Sequence, residues 1–592
     1  MILQALKEYY DRRASDPDSA IAPPGFEKKE LHFLIVIDDE GNFIGIDDTR
    51  EKVGSKLVGK SFILPRSEGR SGSKSYATTF LLWDHIGYLL GLPAEDQKSV
   101  KQHKTWLQSL EALPEELQND RGVAAVLKFY THNSQEGLEK ALQSPQLAEC
   151  LKAPQRNMAF CLSGDVPVPC RDAVHAFVKQ NLAAGPPEDS SGKSKKEKTG
   201  YCLVTGEHGV IARTHSRTPI NKDTKCLVGL QRNSGYDSYG KEQGYNAPII
   251  AATEFAYVTG LNTLLKSPKQ RLLIGDATTV FWSKKPSSFE SDFAIFFKEP
   301  GKDDPGARTE KVRALFEAVN RGTGYLDDDG RNSFYILGLS PNAARIAVRF
   351  WHDGTIDEYA QRIKQYFEDF NIARPPGEPE HYSIWRILVN ISTQDKSENI
   401  PPNLAGEFMR SIIAGTPYPA TLIQAALRRI RSDTNYRVKP IRAALLKAYL
   451  NRYARFYPQY KQKEVEFSLD ASQPSIGYQL GRLFATLEKI QEEANPGIGA
   501  TIRERYYGAA CATPVTVFAI LLRLKNHHLA KMTSRGRAVN FERLLGEIMG
   551  RLNDFPAHLD LHEQGRFAIG YYHQRQDFFS KKEAVAPVEE AQ

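Results

Sequence analysis

Residues 230–248 bring two kinds of chemistry into one loop. Tyr236, Tyr239 and Tyr245 offer rigid aromatic faces, and Gln231, Asn233, Ser234, Lys241, Gln243 and Asn246 offer hydrogen-bonding or cationic groups. Glycines such as Gly235 and Gly240 let the backbone come close to whatever docks. The apolar residues 226–230 ahead of the loop read as a buried strand. Asn246-Ala247-Pro248 at its end reads as a helix start, with Asn as cap and Pro in the first turn. A strand, a donor-rich loop and a helix N-terminus together attract anions, because unpaired N–H groups and the positive helix end face the ligand. Stacked bases suit the tyrosines. The competing reading is an ordinary surface loop of turn residues.

A second loop has similar content. Arg66, Arg70, Ser71, Gly72 and Lys74 follow an apolar strand expected over 61–64 and precede an expected amphipathic helix carrying Phe80, Trp83, Gly87 and Leu90 on one side. Two further cation sets lie downstream. Arg345 and Arg349 alternate along a strand, about 13 Å apart and facing away from Ile346, Val348 and Phe350; ion pairs to Asp327, Asp328 and Asp329 are the alternative. Residues 410–463 hold twelve Lys or Arg against one acid, Asp433, interleaved with Tyr418, Tyr436, Tyr449, Tyr453, Tyr457 and Tyr460. Such a run creates a field suited to polyphosphate, and Arg428, Arg431 and Arg442 are its expected contacts. A solvated helix face is the bland alternative.

Catalytic patterns do not emerge. Gly69 to Ser75 evokes a P-loop, but Ser73 separates Gly72 from Lys74 and the Gly-Lys-Ser/Thr ending is absent. His558 and His562, four apart, lack the His-Glu-x-x-His order of a metalloprotease, and the 327–329 acids lack calcium-loop spacing. No Gly-x-Ser-x-Gly elbow occurs. The six cysteines form no Cys-x-x-Cys pair and read mostly as reduced core thiols. No enzyme activity, metal or cofactor is expected. The rival from another class is an unrecognised nuclease or nucleotide-processing enzyme, and a third reading is a pure protein scaffold.

The elements that must position these groups are α+β in class. A mixed N-terminal α/β region with antiparallel hairpins gives way to a C-terminal all-α helical bundle. At 592 residues, three or four packed units are expected. An α+β domain spans 1–184, with a hairpin over 32–46 and mostly helical sequence to about 182. A linker rich in Pro, Ser, Gly and Lys spans 185–200. A second α+β domain spans 201–381, with strands expected at 201–205, 210–213, 271–282 and 292–297, and a hairpin across 334–351. A basic helical region covers 382–469, a bundle 470–580 and a tail 581–592. In the bundle, Ile476, Leu480, Leu483, Phe484, Leu487 and Ile490 keep a 3.6-residue stripe. Mean hydropathy is −0.45 and no apolar run nears 20 residues, so a cytoplasmic address is expected.

Ordered blocks over nearly the whole length carry a resemblance. They are Tyr-Leu-Leu-Gly-Leu at 88–92, Ser-Tyr-Gly-Lys-Glu-Gln at 238–243 with Asn-Ala-Pro at 246–248, and Phe-Tyr-Ile-Leu-Gly-Leu-Ser-Pro-Asn-Ala-Ala-Arg at 334–345. Further blocks are Ala-Gly-Thr-Pro-Tyr-Pro at 414–419, Gly-Arg-Leu-Phe at 481–484, and 565–575 ending Gly-Tyr-Tyr-His-Gln-Arg. The chain resembles the Csd family, the large subunit of the type I-C CRISPR Cascade surveillance complex. It departs from that pattern around 71–79. The resemblance implies a non-catalytic, RNA-guided, antiviral ribonucleoprotein subunit that recognises a protospacer-adjacent motif in double-stranded DNA and supports R-loop formation. The implied partners are the guide RNA-loaded backbone, other Cascade subunits, target DNA with its displaced strand, and a recruited helicase-nuclease, with no membrane. It also implies that the bundle from about 470 is similar to the small Cascade subunit. Loop 230–248 is the expected motif reader, supported by 66–75.

Overall fold

Continuous apolar runs and capped amphipathic segments account for most elements of the fold. The computed structural model describes residues 2–579 except 17–18, 20, 54–55, 68–69, 71–74, 185–197, 221–222, 232–234, 236, 238, 275–276, 299–306, 323–324, 326–329, 343–344 and 434–436. The chain divides into two compact units, 1–218 with 228–263, and 219–227 with 264–592. It is α+β as expected, with small sheets in the N-terminal region and mostly helices in the C-terminal region.

The first unit is built on strand Phe33–Ile37, whose five residues are all buried, the mark of a strand covered on both faces. It pairs antiparallel with Phe43–Asp48, the expected hairpin, and parallel with Asn157–Leu162, which takes Trp83–His85 at its far side. Phe33, Ile35 and Ile37 join the helix-side core with Trp106, Val123 and Phe160. Leu34 faces the other way, toward Leu31 and Leu64 of the antiparallel ribbon Phe26–Leu31 and Lys60–Pro65. Burying each large apolar side chain in these layers contributes about 1.5–3 kcal/mol.

Several expectations fail in this unit, among them the strands at 201–205 and 210–213, where the paired strands are the shorter Thr199–Tyr201 and His208–Val210. Asn157–Leu162 is a strand inside a stretch expected to be helical. The helix expected through Phe80 and Leu90 is instead a strand, Trp83–His85, followed by a single turn, Ile86–Leu89. Leu82 has φ +62°, which a helix interior does not allow, and Trp83 Nε1 donates to Pro65 O at 3.0 Å, tying the segment to the sheet. Most of the expected linker, 185–197, lies outside the described residues.

The second unit opens with an antiparallel meander of Arg271–Ile274, Ala277–Ser283, Ser333–Pro341 and Ile346–Thr355. The expected strand at 292–297 is part of helix Ser288–Phe297. Ser287 caps it, and Phe289, Phe293, Phe296 and Phe297 fall on one buried face, so helical period overrides β propensity. Beyond it the chain is almost wholly helical. One buried core runs from Leu272 to Tyr572, and residues on both sides of Asp470 contribute to it.

The closest helix contact is between Ile476–Ala494 and Leu561–Phe579. A Cβ on Gly481 would lie 2.0 Å from the Phe567 carbonyl oxygen, and one on Gly570 would lie 2.1 Å from that of Tyr478. The two backbones therefore touch directly. On helix Phe518–Lys531 the apolar residues are only partly inward: Phe518 and Leu521 are buried while Ile520 and Leu524 face outward.

Candidate nucleic-acid interface

Both candidate loops lie in the first unit, anchored on one short segment, 211–216. Gly244 packs against it so tightly that a Cβ would lie 2.3 Å from Ala212 O, and Gly244 N donates to Arg213 O at 2.9 Å. Ala212 N donates to Ile249 O at 2.9 Å, which fixes the far end of loop 230–248. Three residues on, Ser216 Oγ accepts from Arg66 Nη2, and Ser216 N donates to Glu254 Oε1 at 2.7 Å. Arg66 also pairs with Glu254 at 3.5 Å and lies over the Phe255 ring. Three residues span at most about 10 Å, so the loops' anchor points are neighbours.

At the apex, Tyr239 and Gly240 adopt left-handed φ of +51° and +67°, and Gln243 one of +48°. The Tyr239 ring is fully exposed and Lys241 is exposed. Hydrogen bonds inside the loop hold this shape. Gln243 N donates to Asp237 Oδ1 at 3.0 Å, and Asn246 Nδ2 donates to the carbonyls of Lys241 and Gln243 at 3.0 and 3.1 Å. Strain is stored where the side chains point outward. Gln231 is exposed too, whereas Asn233, Ser234 and Tyr236 lie outside the described residues.

The surroundings of this apex differ from the sequence expectation. Residues 226–230 are not a buried strand; the strand is Asp223–Cys226, and residues 227–230 are half-exposed. Asn246 caps no helix. It closes a 3-10 turn, Gln243–Asn246, and helix Ala251–Lys266 starts later, so the expected anion site at 246–248 disappears and the Asn246 side-chain amide is spent internally. Two exposed cations escape the sequence reading. Arg213 carries the anchor of Gly244, and Lys198 Nζ sits 4.9 Å over the Tyr245 ring. The only sequence signal for them is a basic residue flanking the strand signals at 199–213.

In the other loop, Ser71, Gly72 and Lys74 lie outside the described residues. Arg70 is internal. Its Nη1 donates to Asp84 Oδ1 at 2.9 Å, its Nη2 to the other oxygen, its Nε to Thr78 O at 2.8 Å, and its guanidinium lies between the rings of Phe80 and Tyr88. A buried acid claims it, so it is withdrawn from the phosphate contacts.

The second unit revises the basic segment in the same way. Helix Pro440–Phe456 is buried along most of its length, Arg442 completely. Arg442 pairs with Asp433 at 2.9 Å and Asp395 at 3.4 Å, and donates to the carbonyls of Asn390 and Arg437. Arg442 is therefore no phosphate ligand. Lys439 and Arg429 share Asp395, Lys463 pairs with Asp470, and buried Lys447 donates to the carbonyls of Glu368 and Asp369. The acids that answer this run lie mostly outside it in sequence, which is why the run reads as uncompensated. Arg428 is exposed, and Arg431, also exposed, donates to Gln564 Oε1.

Arg349 is exposed, Arg345 half-buried, and the strict alternation fails. Gly338 pairs with Phe350 and Leu339 with Val348, leaving Arg349 as the extra residue of a β-bulge and turning Val348 outward. The aromatic interleaving is local and real: Tyr453 lies 4.3 Å from His562 and 4.6 Å from Tyr457, with Tyr460 exposed beside them.

Among the described residues, no three His, Cys, Asp or Glu side chains group to hold a metal ion. His558 precedes helix Leu561–Phe579 and so does not share a helix face with His562. All six cysteines are free thiols. Burial pushes Cys150, Cys170 and Cys511 up to about 12. Burial also pushes Cys202 up, but hydrogen bonds from the Ile250, Thr205 and Val204 backbone and the Thr205 side chain outweigh it and bring it down to about 7. No helix among the described residues is long and apolar enough to cross a membrane.

The chain is α+β, with an exposed tyrosine and an exposed lysine at the apex of one loop. A family model described as CRISPR-associated protein (Cas_Csd1) matches residues 6–579, and the chain belongs to that family, whose members are Cascade subunits. The family drawn from the sequence blocks is the same one. No curated protein matches the chain.

Proposed function

We propose that this chain is the large, non-catalytic subunit of a type I-C Cascade complex acting in the cytoplasm. Loop 230–248 inspects the duplex beside a protospacer for a short motif. Guide RNA pairing reads the sequence, while the protein reads only the flank and the backbone shape, a division of labour general to RNA-guided effectors. Gln231 and Gln243 can meet base edges, Lys241 and Arg213 phosphates, and Tyr239 the end of an opened duplex. The displaced strand is then available to a recruited helicase-nuclease.

The observation that carries this reading is the apex itself: a fully exposed tyrosine on left-handed backbone beside an exposed lysine, in a turn shaped by hydrogen bonds internal to the loop. A loop ordered before its ligand arrives loses little entropy on binding. The test is gel-shift binding of the guide-loaded complex to duplexes that differ only beside the target. Lys241→Ala with Gln243→Ala weakens binding to motif-bearing duplexes and leaves subunit assembly intact. Unchanged target affinity at fixed salt rejects the reading.

A further inference from the structure

Internal pairing absorbs most cations of 410–463, but one cluster remains open. In the second unit, helices Ile356–Phe370 and Pro440–Phe456 and the cap of helix Pro402–Ala414 line an open cleft of about 270 Å³, walled in part by Arg362, Arg452, Arg455, Gly415 and Phe456. Every charged side chain on its wall is a guanidinium; no carboxylate lines it among the described residues.

Two of these arginines are oriented by neutral groups. Arg362 Nη1 donates to Ile413 O at 2.8 Å, and Gly415, at φ +74°, leaves room for the Arg362 side chain, 3.5 Å from where a Cβ would sit. Arg452 is 6% exposed. It donates Nε to Thr416 O at 2.7 Å, Nη1 to the Tyr418 hydroxyl at 3.1 Å and Nη2 to Ser411 O at 2.8 Å, with the Tyr418 ring under its guanidinium. Carbonyl and hydroxyl oxygens aim a guanidinium without cancelling its charge. Of the five N–H donors on each group, these bonds use one and three.

The carboxylates nearby answer the third arginine. Arg455 binds Asp369 and Glu464. Asp369 also pairs with Arg452, at the longer distance of 3.9 Å; burial pushes its carboxyl up while Arg455 and Arg452 pull it down. Arg410 is exposed on the neighbouring helix, and after burial itself, Arg362 and Arg410 are what hold His352 below its ordinary range, a sign of their common field. Phe456 projects at the mouth, half exposed.

We propose that this cleft binds a phosphoryl group, with Arg362 and Arg452 as paired donors and the Phe456 ring against a planar group on the same molecule. Guanidinium forks match the oxygen spacing of phosphate. The block Ala-Gly-Thr-Pro-Tyr-Pro at 414–419 thereby gains a role, since it supplies the left-handed cap and two of the acceptors that aim the pair. The phosphoryl source is either a nucleic-acid strand or free phosphate.

The test uses the full chain with two probes: inorganic phosphate against chloride at equal ionic strength, by calorimetry, and a short single-stranded oligonucleotide, by fluorescence anisotropy. Arg362→Gln weakens phosphate binding by roughly tenfold, the scale of one charge-assisted hydrogen bond. Gln361→Glu, which puts a carboxylate on an exposed part of the wall, does the same and removes no internal contact, so it decides alone if Arg362→Gln fails to fold. Weakening of both probes, with Phe456→Ala acting on the oligonucleotide only, identifies a strand as the source. Weakening of phosphate alone identifies the free anion. Phosphate affinity equal to wild type in Gln361→Glu and in folded Arg362→Gln, or no phosphate binding by the wild type, overturns the proposal.

Discussion

Arg70 grips Asp84 with both terminal nitrogens, and the carboxylate it holds is 1% exposed. The pair ties together the chain on either side of 71–74, with Phe80 and Tyr88 closing over the guanidinium. Arg70→Ala leaves that acid buried without its partner. The expected cost is about 3 kcal/mol of unfolding free energy by urea denaturation, from the scale for broken buried pairs. If the chain binds DNA as proposed, the salt dependence of that binding stays unchanged, because Asp84 already holds the Arg70 guanidinium.

Arg442 and Arg428 separate the two readings of the basic segment. Arg442→Ala destabilises the second unit by about 3 kcal/mol, since it breaks a buried pair and strips the Asn390 and Arg437 carbonyls of their donor, even though Arg429 and Lys439 still answer the two acids. Removing exposed Arg428 and Arg431 together costs little stability, on the scale of about 0.5 kcal/mol for surface positions. If they meet DNA phosphates, the slope of log affinity against log salt falls by about 0.9 for each lost contact. Titrating binding over a salt series measures it directly.

Tyr239→Ala leaves the melting temperature unchanged because its ring contacts nothing that folding needs. It weakens binding to a target with an opened end by about 1–3 kcal/mol, the scale of one stacked base. Equal affinity for opened and closed duplex ends in wild type and variant removes the stacking role.

How much of this is legible in the sequence depends on whether a signal is local. The hairpins at 33–48 and 333–355 announce themselves through apolar runs broken by turn residues, and the helix from Ile476 through a 3.6-residue stripe. The strand Asn157–Leu162 does not, because it is specified by parallel pairing with residues more than a hundred positions earlier. The same limit governs the charges. Arg442 reads as a phosphate ligand until Asp395, 47 residues away in sequence, is brought against it. Tyr239 and Lys241 are legible as loop residues from the glycines around them, but the shelf beneath them at 211–216 is not, since only folding makes it a neighbour.

Acid should weaken the fold through His573. Its ring is 1% exposed, with Nδ1 against the Tyr478 hydroxyl at 2.9 Å, and burial pushes it down to about 3. The unfolded chain binds this proton near pH 6.5 and the folded chain does not, so stability falls as pH drops from about 6.5 toward 3. Between about pH 8 and about pH 5 the loss from this group is about 2 kcal/mol. His85 and His215, also held low by burial, act in the same direction. The difference between wild type and His573→Gln across that range isolates the one ring.

Gly481→Ala drives a methyl group into the Phe567 carbonyl, where no flexible side chain can yield. The expected destabilisation is about 1–3 kcal/mol, the overpacking scale, and more if the helices cannot part. Gly546→Ala, on an open helix surface, is the control and stabilises slightly or changes nothing.

The backbone contact between Ile476–Ala494 and Leu561–Phe579 carries a consequence for biosynthesis. The last helix also meets the Pro440–Phe456 and Ala420–Ser432 helices, and Tyr572 reaches back to the Ala373 carbonyl at 2.7 Å. A ribosome releases that helix only after every one of these partners has been made. The apolar surface made from Ala373 onward must therefore wait, half assembled, for helix Leu561–Phe579 to emerge, and a product truncated ahead of that helix would expose it to chaperones and proteases.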